Sequence, residues 1–193
     1  MSTTDHPATD HPSADYSAAD QPATDHSADW GEPRSKTISW HDPLITARSL
    51  SQLSGLAALA AIRDGEVAPP PIASHFDFRI EDLRPGEIRF SCVPDESAYN
   101  PIGMVHGGLV CTLLDTVIGC AVHSTLPART GYTSIELKVN YLRPVHLGAQ
   151  LIARGWVVKP GRRVAFAEGE VLGADGKQVA TGSGSLLIIP LTD

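Results

Sequence analysis

Between residues 48 and 63, Leu50, Leu53, Leu56, Ala57, Leu59 and Ala60 recur at helical spacing before Asp64-Gly65. This predicts one amphipathic helix with a stop signal after it. Val67-Ala68-Pro69-Pro70-Pro71 then reads as an extended linker in which no helix continues. Beyond it the period changes to two. Residues 75–81 read as a short strand turned by Arg84-Pro85-Gly86. In residues 87–93, Ile88, Phe90 and Cys92 share one face, with Arg89 and Ser91 on the other. Alternation returns in residues 132–142, with Ile135, Leu137, Val139 and Tyr141 inward and Ser134, Glu136, Lys138 and Asn140 outward. Residues 150–158 and 163–172 are two more strands across a Pro-Gly turn, and Asp175-Gly176 leads to a last strand at 178–189.

Between the early and late strands lies a run of another kind. After Asn100-Pro101, Gly103 and His106-Gly107-Gly108, the residues Leu109, Val110, Leu113, Leu114, Val117, Ile118, Ala121 and Val122 cover every side of a helical wheel. Such a helix is buried. At roughly 16 residues it is too short to cross a bilayer, which takes about 20. Its one charge is Asp115. The order of elements, two strands, a long buried helix and four strands, gives an α+β class.

Composition adds an appendage. The chain has 193 residues and a formal net charge of −7. Residues 1–37 hold seven acidic and two basic side chains, a net of −5, which leaves −2 for the rest. Aspartate recurs at 5, 10, 15, 20 and 25 in near-copies of Thr-Asp-His-Pro-Ala. Residues 1–39 therefore read as a disordered acidic tail, 40–71 as the helix and linker, and 72–193 as the folded domain. His6, His11 and His26 in the tail invite a metal, but a solvated acidic segment accounts for them. The tail lacks the charged start and apolar core of a secretory signal. No basic surface suits nucleic acid, and no stretch suits a membrane span. Cys92, Cys111 and Cys120 sit in apolar segments without metal spacing, which fits a reducing, cytoplasmic setting and no resident metal or cofactor.

An unpaired carboxylate in an apolar helix is costly, so Asp115 is either held by structural partners or used in chemistry. The glycines upstream favour use. A helix start carries unpaired N–H groups and partial positive charge, and Gly107 and Gly108 let a ligand oxygen approach them, as an oxyanion hole requires. Gly107 and Asp115 are eight residues apart, about 12 Å along one helix. One carbonyl does not reach both, so the spacing predicts a dimer in which each site takes one from each subunit. The chain has no G-x-S-x-G elbow, H-E-x-x-H motif or P-loop, against serine hydrolase, zinc hydrolase and nucleotidase readings. Gly182-Ser183-Gly184 falls within a strand and reads as a bulge or close packing. His75, His123 and His146 read as structural.

The pattern Asn100…His106-Gly107-Gly108…Asp115, followed by Tyr132-Thr133-Ser134-Ile135-Glu136-Leu137-Lys138-Val139-Asn140-Tyr141-Leu142-Arg143-Pro144, resembles the hotdog-fold acyl-CoA thioesterases of the phenylacetate-pathway type. The resemblance spans roughly residues 72–190. It implies a curved antiparallel sheet wrapped around the central helix, and hydrolysis of acyl-CoA to free acid and CoA. It implies Asp115 as general base or nucleophile and the Gly107 N–H as carbonyl polariser. Asn100 and His106 would orient substrate or water, and Ser134, or its neighbour Thr133, would place water against Asp115 of its own subunit. It further implies a homodimer, admits a homotetramer, and directs attention to Lys159, Arg162 and Arg163 for the CoA phosphates. Two rivals share these residues: a non-catalytic acyl-CoA sensor, and a hotdog hydratase or dehydratase using His106 and Asp115.

Overall fold

The computed structural model describes residues 30–191, so the aspartate repeat and the tail histidines lie outside the described residues. From Lys36 onward the chain forms one compact unit. Three short helices come first: α1 (Pro43–Ser51), α2 (Gly55–Arg63) and α3 (Pro71–Phe76). Strands β1 (Arg79–Arg84) and β2 (Glu87–Cys92) follow, then the long helix α4 (Gly107–His123) and strands β3 (Thr130–Tyr141), β4 (Leu151–Lys159), β5 (Val164–Leu172) and β6 (Gln178–Pro190). All pairings are antiparallel, in the order β1-β2-β4-β5-β6-β3. This is the hotdog arrangement, with α4 packed on one face of the six-stranded sheet.

The helix reaches the sheet so closely because the sheet has no side chains where it lands. Gly155, Gly169 and Gly182 occupy one rung across β4, β5 and β6. A Cβ at Gly155 would overlap the Val117 carbonyl, and one at Gly169 would crowd Val117 and Ile118. Isolated glycines inside these strands mark where a second backbone passes close by. Gly184, next along β6, meets Ile118 in the same way, so the Gly-Ser-Gly stretch is close packing. Leu113, Leu114, Val117, Ile118 and Ala121 are fully buried against Ile88, Ala153, Val171 and Leu186.

Several sequence expectations change. The single helix over 48–63 is two helices, because Ser54 caps a new start by accepting from the Ala57 N–H, and Gly55 then packs against the His123 backbone at the end of α4. The proline linker ends in a helix, since Pro71 occupies the first helical turn, where a missing N–H costs nothing. That helix takes residues assigned to the first strand, which begins at Arg79 and not at 75. Ser91 is buried although it faces away from Phe90, because its hydroxyl donates to Glu81. Nor is α4 covered all round: Gly107, Cys111, Thr112, Asp115, Thr116 and Cys120 form a half-exposed stripe.

The largest correction concerns β3. Strict alternation put Ser134 outward, on the side away from the helix. The pairing runs Thr133↔Leu187, Ser134↔Leu186 and then Glu136↔Ser185, so one extra residue, Ile135, is inserted as a β-bulge. A bulge shifts the alternation by one. Ser134 therefore faces α4, as Leu137 and Val139 do beyond the bulge, and Ile135 is pushed out to 56% exposure.

Candidate active site

The loop before α4 is built by Asn100. Its side-chain oxygen accepts from the N–H of Ile102 (3.1 Å) and of Met104 (3.2 Å), and its own N–H donates to the Met104 carbonyl at 2.8 Å. Gly103 supplies the left-handed residue (φ 76°) that closes this turn. Asn100 thus shapes the approach to the helix with its carbonyl oxygen, leaving its amide N–H groups for other use.

His106 is the N-cap of α4. Its Nδ1 accepts from the Gly108 N–H at 2.8 Å. An accepting Nδ1 places the imidazole proton on Nε2, so a donor is presented at the helix start. Gly108 has to be glycine here, since a Cβ would lie 2.8 Å from that Nδ1. The N–H of Gly107 meets no acceptor among the described residues. It is an orphan of the helix start, where the macrodipole favours negative charge.

Two turns on, Asp115 stands half-buried on the open stripe, and Ser134 donates its hydroxyl to Asp115 Oδ1 at 2.7 Å. The second carboxylate oxygen has no partner among the described residues. Thr133 is exposed on the opposite face of β3, so between these neighbours it is Ser134 that touches the carboxylate. The structure brings Asp115 and Ser134 together, and places His106 and Gly107 at the other end of the stripe, with Asn100 shaping the loop that leads to them. It does not join the two groups within one chain.

Sequence reasoning missed Tyr141. Its hydroxyl donates to the Gly107 carbonyl at 3.0 Å, and a Cβ on Gly107 would lie 3.2 Å from its ring. The aromatic end of β3 therefore holds the first turn of α4. The available signal was the inward register of Tyr141, which alone does not say what it meets.

Also unforeseen is a cavity of about 370 Å³ at the other flank of the stripe. Leu59 of α2, Ile72 and Ala73 of α3, Phe78, Phe90 and the α4 residues Thr116 and Cys120 are among its walls. It is a pocket of ligand size with mostly apolar lining. Its walls come from four separated segments, so no local pattern could have announced it.

Lys159, Arg162 and Arg163 sit exposed at the β4–β5 turn and form no ion pair among the described residues. The register Val164↔Leu187↔Thr133 puts this turn at the same end of the sheet as Ser134, two strand spacings away, or roughly 10 Å. Burial pushes the thiols of Cys92 and Cys120 up to about 12, which disfavours the thiolate form at neutral pH. His75 stacks on Trp40, and His123 lies beside Tyr132 with its pKa lowered by burial. Neither joins the site. Among the described residues no cluster of three His, Cys, Asp or Glu side chains is placed to hold a metal, and no helix is long and apolar enough to cross a membrane.

Comparison with known proteins agrees with this fold. Residues 102–180 match the family model described as Thioesterase superfamily. A protein of Halobacterium salinarum named as a candidate esterase is 35% identical over 140 residues, 67% of this chain and 91% of that protein. Human acyl-coenzyme A thioesterase 13 is 31% identical over 99 residues, 51% of this chain and 70% of that protein. A crystal structure of a candidate thioesterase from Ralstonia eutropha, described as phenylacetic acid degradation-related, superposes with a TM-score of 0.63 at 28% identity, covering 67% of this chain and 98% of its own.

Proposed function

Because this chain belongs to the thioesterase superfamily, we propose that it hydrolyses acyl-coenzyme A thioesters, with Asp115 as the working carboxylate and the Gly107 N–H as oxyanion donor. The observation that carries the reading is the Ser134–Asp115 hydrogen bond at 2.7 Å. It fixes one carboxylate oxygen and leaves the other free on the open stripe. A thioester needs little more: a carbonyl polariser, a base or nucleophile, and a placed water.

In the general-base form, Asp115 takes a proton from water held with Ser134. The hydroxide adds to the carbonyl carbon, and the oxyanion is held by the Gly107 N–H at the positive end of α4. Collapse breaks the C–S bond, and the proton returns from Asp115 to the departing thiolate. In the nucleophilic form the free oxygen of Asp115 attacks first, and water then opens the mixed anhydride. His106 Nε2–H and the amide N–H groups of Asn100 orient the carbonyl or the water.

Gly107 and Asp115 lie about 12 Å apart along α4, so each site takes its carboxylate from one subunit and its N–H from another, in a homodimer. The CoA phosphates meet Lys159, Arg162 and Arg163, which carry unneutralised charge at the correct end of the sheet. The acyl group enters the cavity beside Thr116. The cavity volume of about 370 Å³ lies at the small end of the range of ligand pockets. That suits medium-chain or monocyclic aromatic acyl groups.

Release of free thiol from a panel of acyl-CoA esters tests the reading. Steady turnover is the expected outcome. Binding without thiol release would make the protein a sensor, and loss of enoyl absorbance without thiol would make it a hydratase. Turnover in ¹⁸O-water identifies the nucleophilic form where water opens the anhydride at the Asp115 carbonyl, since that route alone leaves label in the carboxylate.

A further inference from the structure

On the face of the sheet away from α4, strands β2, β4 and β5 and the turn at residues 173–176 border a groove of about 350 Å³. We infer that this groove is a second ligand site, which takes a small organic acid with an apolar body and holds its carboxylate at Arg89. The inference goes beyond the thioester reading and does not depend on it.

Register places the groove. Ile88, Phe90, Ala153 and Val171 are buried on the helix side, so Arg89, Ile152, Arg154 and Leu172 project to the other face. Arg89 stands directly opposite Arg154, and Ile152 directly opposite Leu172. Two arginines set across from each other repel unless something answers their charge. Arg154 is answered: Glu170 Oε1 accepts from it at 3.2 Å, and Glu87 Oε1 lies 3.6 Å away. Arg89 has no ion pair among the described residues. The other acids nearby are engaged elsewhere. Asp82, opposite Arg89 on β1, accepts from the Leu83 N–H and pairs with Arg84. Glu81 accepts from the Ser91 hydroxyl, and Asp175 in the turn pairs with Lys177.

The lining selects the ligand. No aspartate or glutamate borders the groove, whereas the Arg89 guanidinium, the Gln150 side-chain amide and the Ala174 N–H do. None of these three donors meets an acceptor among the described residues. Unmet donors without a neighbouring acid suit an anion, and a guanidinium matches a carboxylate with two parallel hydrogen bonds. Between the donors lies an apolar floor, the cross-strand pair Ile152 and Leu172, each half-buried. A bare inorganic anion would leave that floor in water. An acid with a hydrocarbon body covers it and gains by the burial. The volume is within the range of small-molecule sites. Acids released by the proposed reaction are of this class, so the groove would sense product from the face opposite Asp115.

The test titrates the full chain with octanoate and follows its backbone amide NMR signals. Those of Ala174 and Gly176 report the groove, and that of Ala73 reports the cavity under α3. Saturable shifts at Ala174 and Gly176 are expected. Octanol and acetate each lack half of what the groove recognises, and should bind there at least about tenfold more weakly. Arg89→Gln should weaken octanoate at Ala174 and Gly176 by about ten- to a hundredfold, the scale of hydrogen bonds to a charged group. Its effect at Ala73 should be unchanged. Ile152→Glu, which sets a carboxylate of the chain's own on the groove floor, should weaken octanoate in the same way. Absence of shifts at Ala174 and Gly176 up to millimolar octanoate overturns the site, as do shifts that survive both variants. Octanol binding as well as octanoate overturns the carboxylate, and inorganic phosphate binding as well overturns the organic acid. Thiol release separates the two readings. Turnover without groove binding keeps the thioesterase and loses this site, and groove binding without turnover on any acyl-CoA does the reverse.

Discussion

Each edge of the sheet carries a serine that donates to a carboxylate: Ser91 to Glu81 at the β1 edge and Ser134 to Asp115 at the β3 edge. The chemistry is the same and the settings are opposite. β1 is six residues long, carries Arg79, Asp82 and Arg84, is bulged at Glu81, and has α2 packed against it. These are the devices by which proteins close an edge. β3 is twelve residues long, exposes Ile135 and Tyr141, and has nothing over its outer side among the described residues. One serine–carboxylate pair is therefore part of a finished wall, and the other stands at an unfinished one. In the proposed mechanism it is this open side that lets the Ser134–Asp115 contact meet a substrate.

Asp115→Asn probes this contrast with the largest expected effect. Turnover should fall by roughly 10²–10⁴-fold, the scale of losing a base, while the thermal midpoint holds. A variant with near-normal rate would remove Asp115 from the chemistry. Next come the two serines. Ser134→Ala should lower kcat by about ten- to a hundredfold, since a hydrogen bond to a charged group is worth about 1.5–3 kcal/mol. Ser91→Ala should leave kcat within about twofold and cost about 1 kcal/mol of stability. If both serines cost the same rate, the two edges are not distinct in function.

Ala73→Phe sharpens the contrast from the cavity side. Its added ring narrows the pocket under α3. It should lower kcat/KM for octanoyl-CoA about tenfold relative to acetyl-CoA, within the ~1–3 kcal/mol that pocket shape commands. Equal loss on both substrates would place the acyl group elsewhere.

The smallest effect concerns Lys36, which donates to Asp95 and to the His75 carbonyl and so ties the segment leading into α1 to the domain. The hydrogen bond from Lys36 holds the Asp95 carboxyl down to about 2. A lowered carboxyl stabilises the fold fully above the unfolded value of about 3.9, and that contribution disappears as pH falls through about 2. Both side chains are substantially exposed, so Asp95→Asn should cost no more than about 1 kcal/mol at neutral pH. Its melting curve should converge on that of the parent near pH 2.

What was legible in the chain follows from how local each feature is. The helix, its glycine start and the lone charge at Asp115 fall within one contiguous run, so periodicity and composition found them. The second half of the sheet was equally plain, with strand limits within two residues of those observed. Ser134 was the hard case, because nothing at Ser134-Ile135-Glu136 resembles a bulge: no glycine or proline interrupts the alternation. The bulge is set by the β6 partner strand, which the pattern of β3 does not contain. The N-terminal helices were misjudged because proline reads as an interruption, whereas Pro43 and Pro71 each begin a helix. The cavity was out of reach for the same reason as the bulge, since it exists only between segments.

The glycine rung beneath α4 has a consequence for how such a site can drift. Contacts between side chains relax by changing rotamer, but Gly155 meets the helix main chain itself, and main chain has no rotamers to change. The sheet thus acts as a keyway that indexes the helix along its length. Whatever accumulates in the loops, Asp115 keeps its station opposite Ser134 and Gly107 keeps its station opposite Tyr141. On the proposed reading, acyl specificity then changes through α2 and α3 while Asp115 and Gly107 hold their positions.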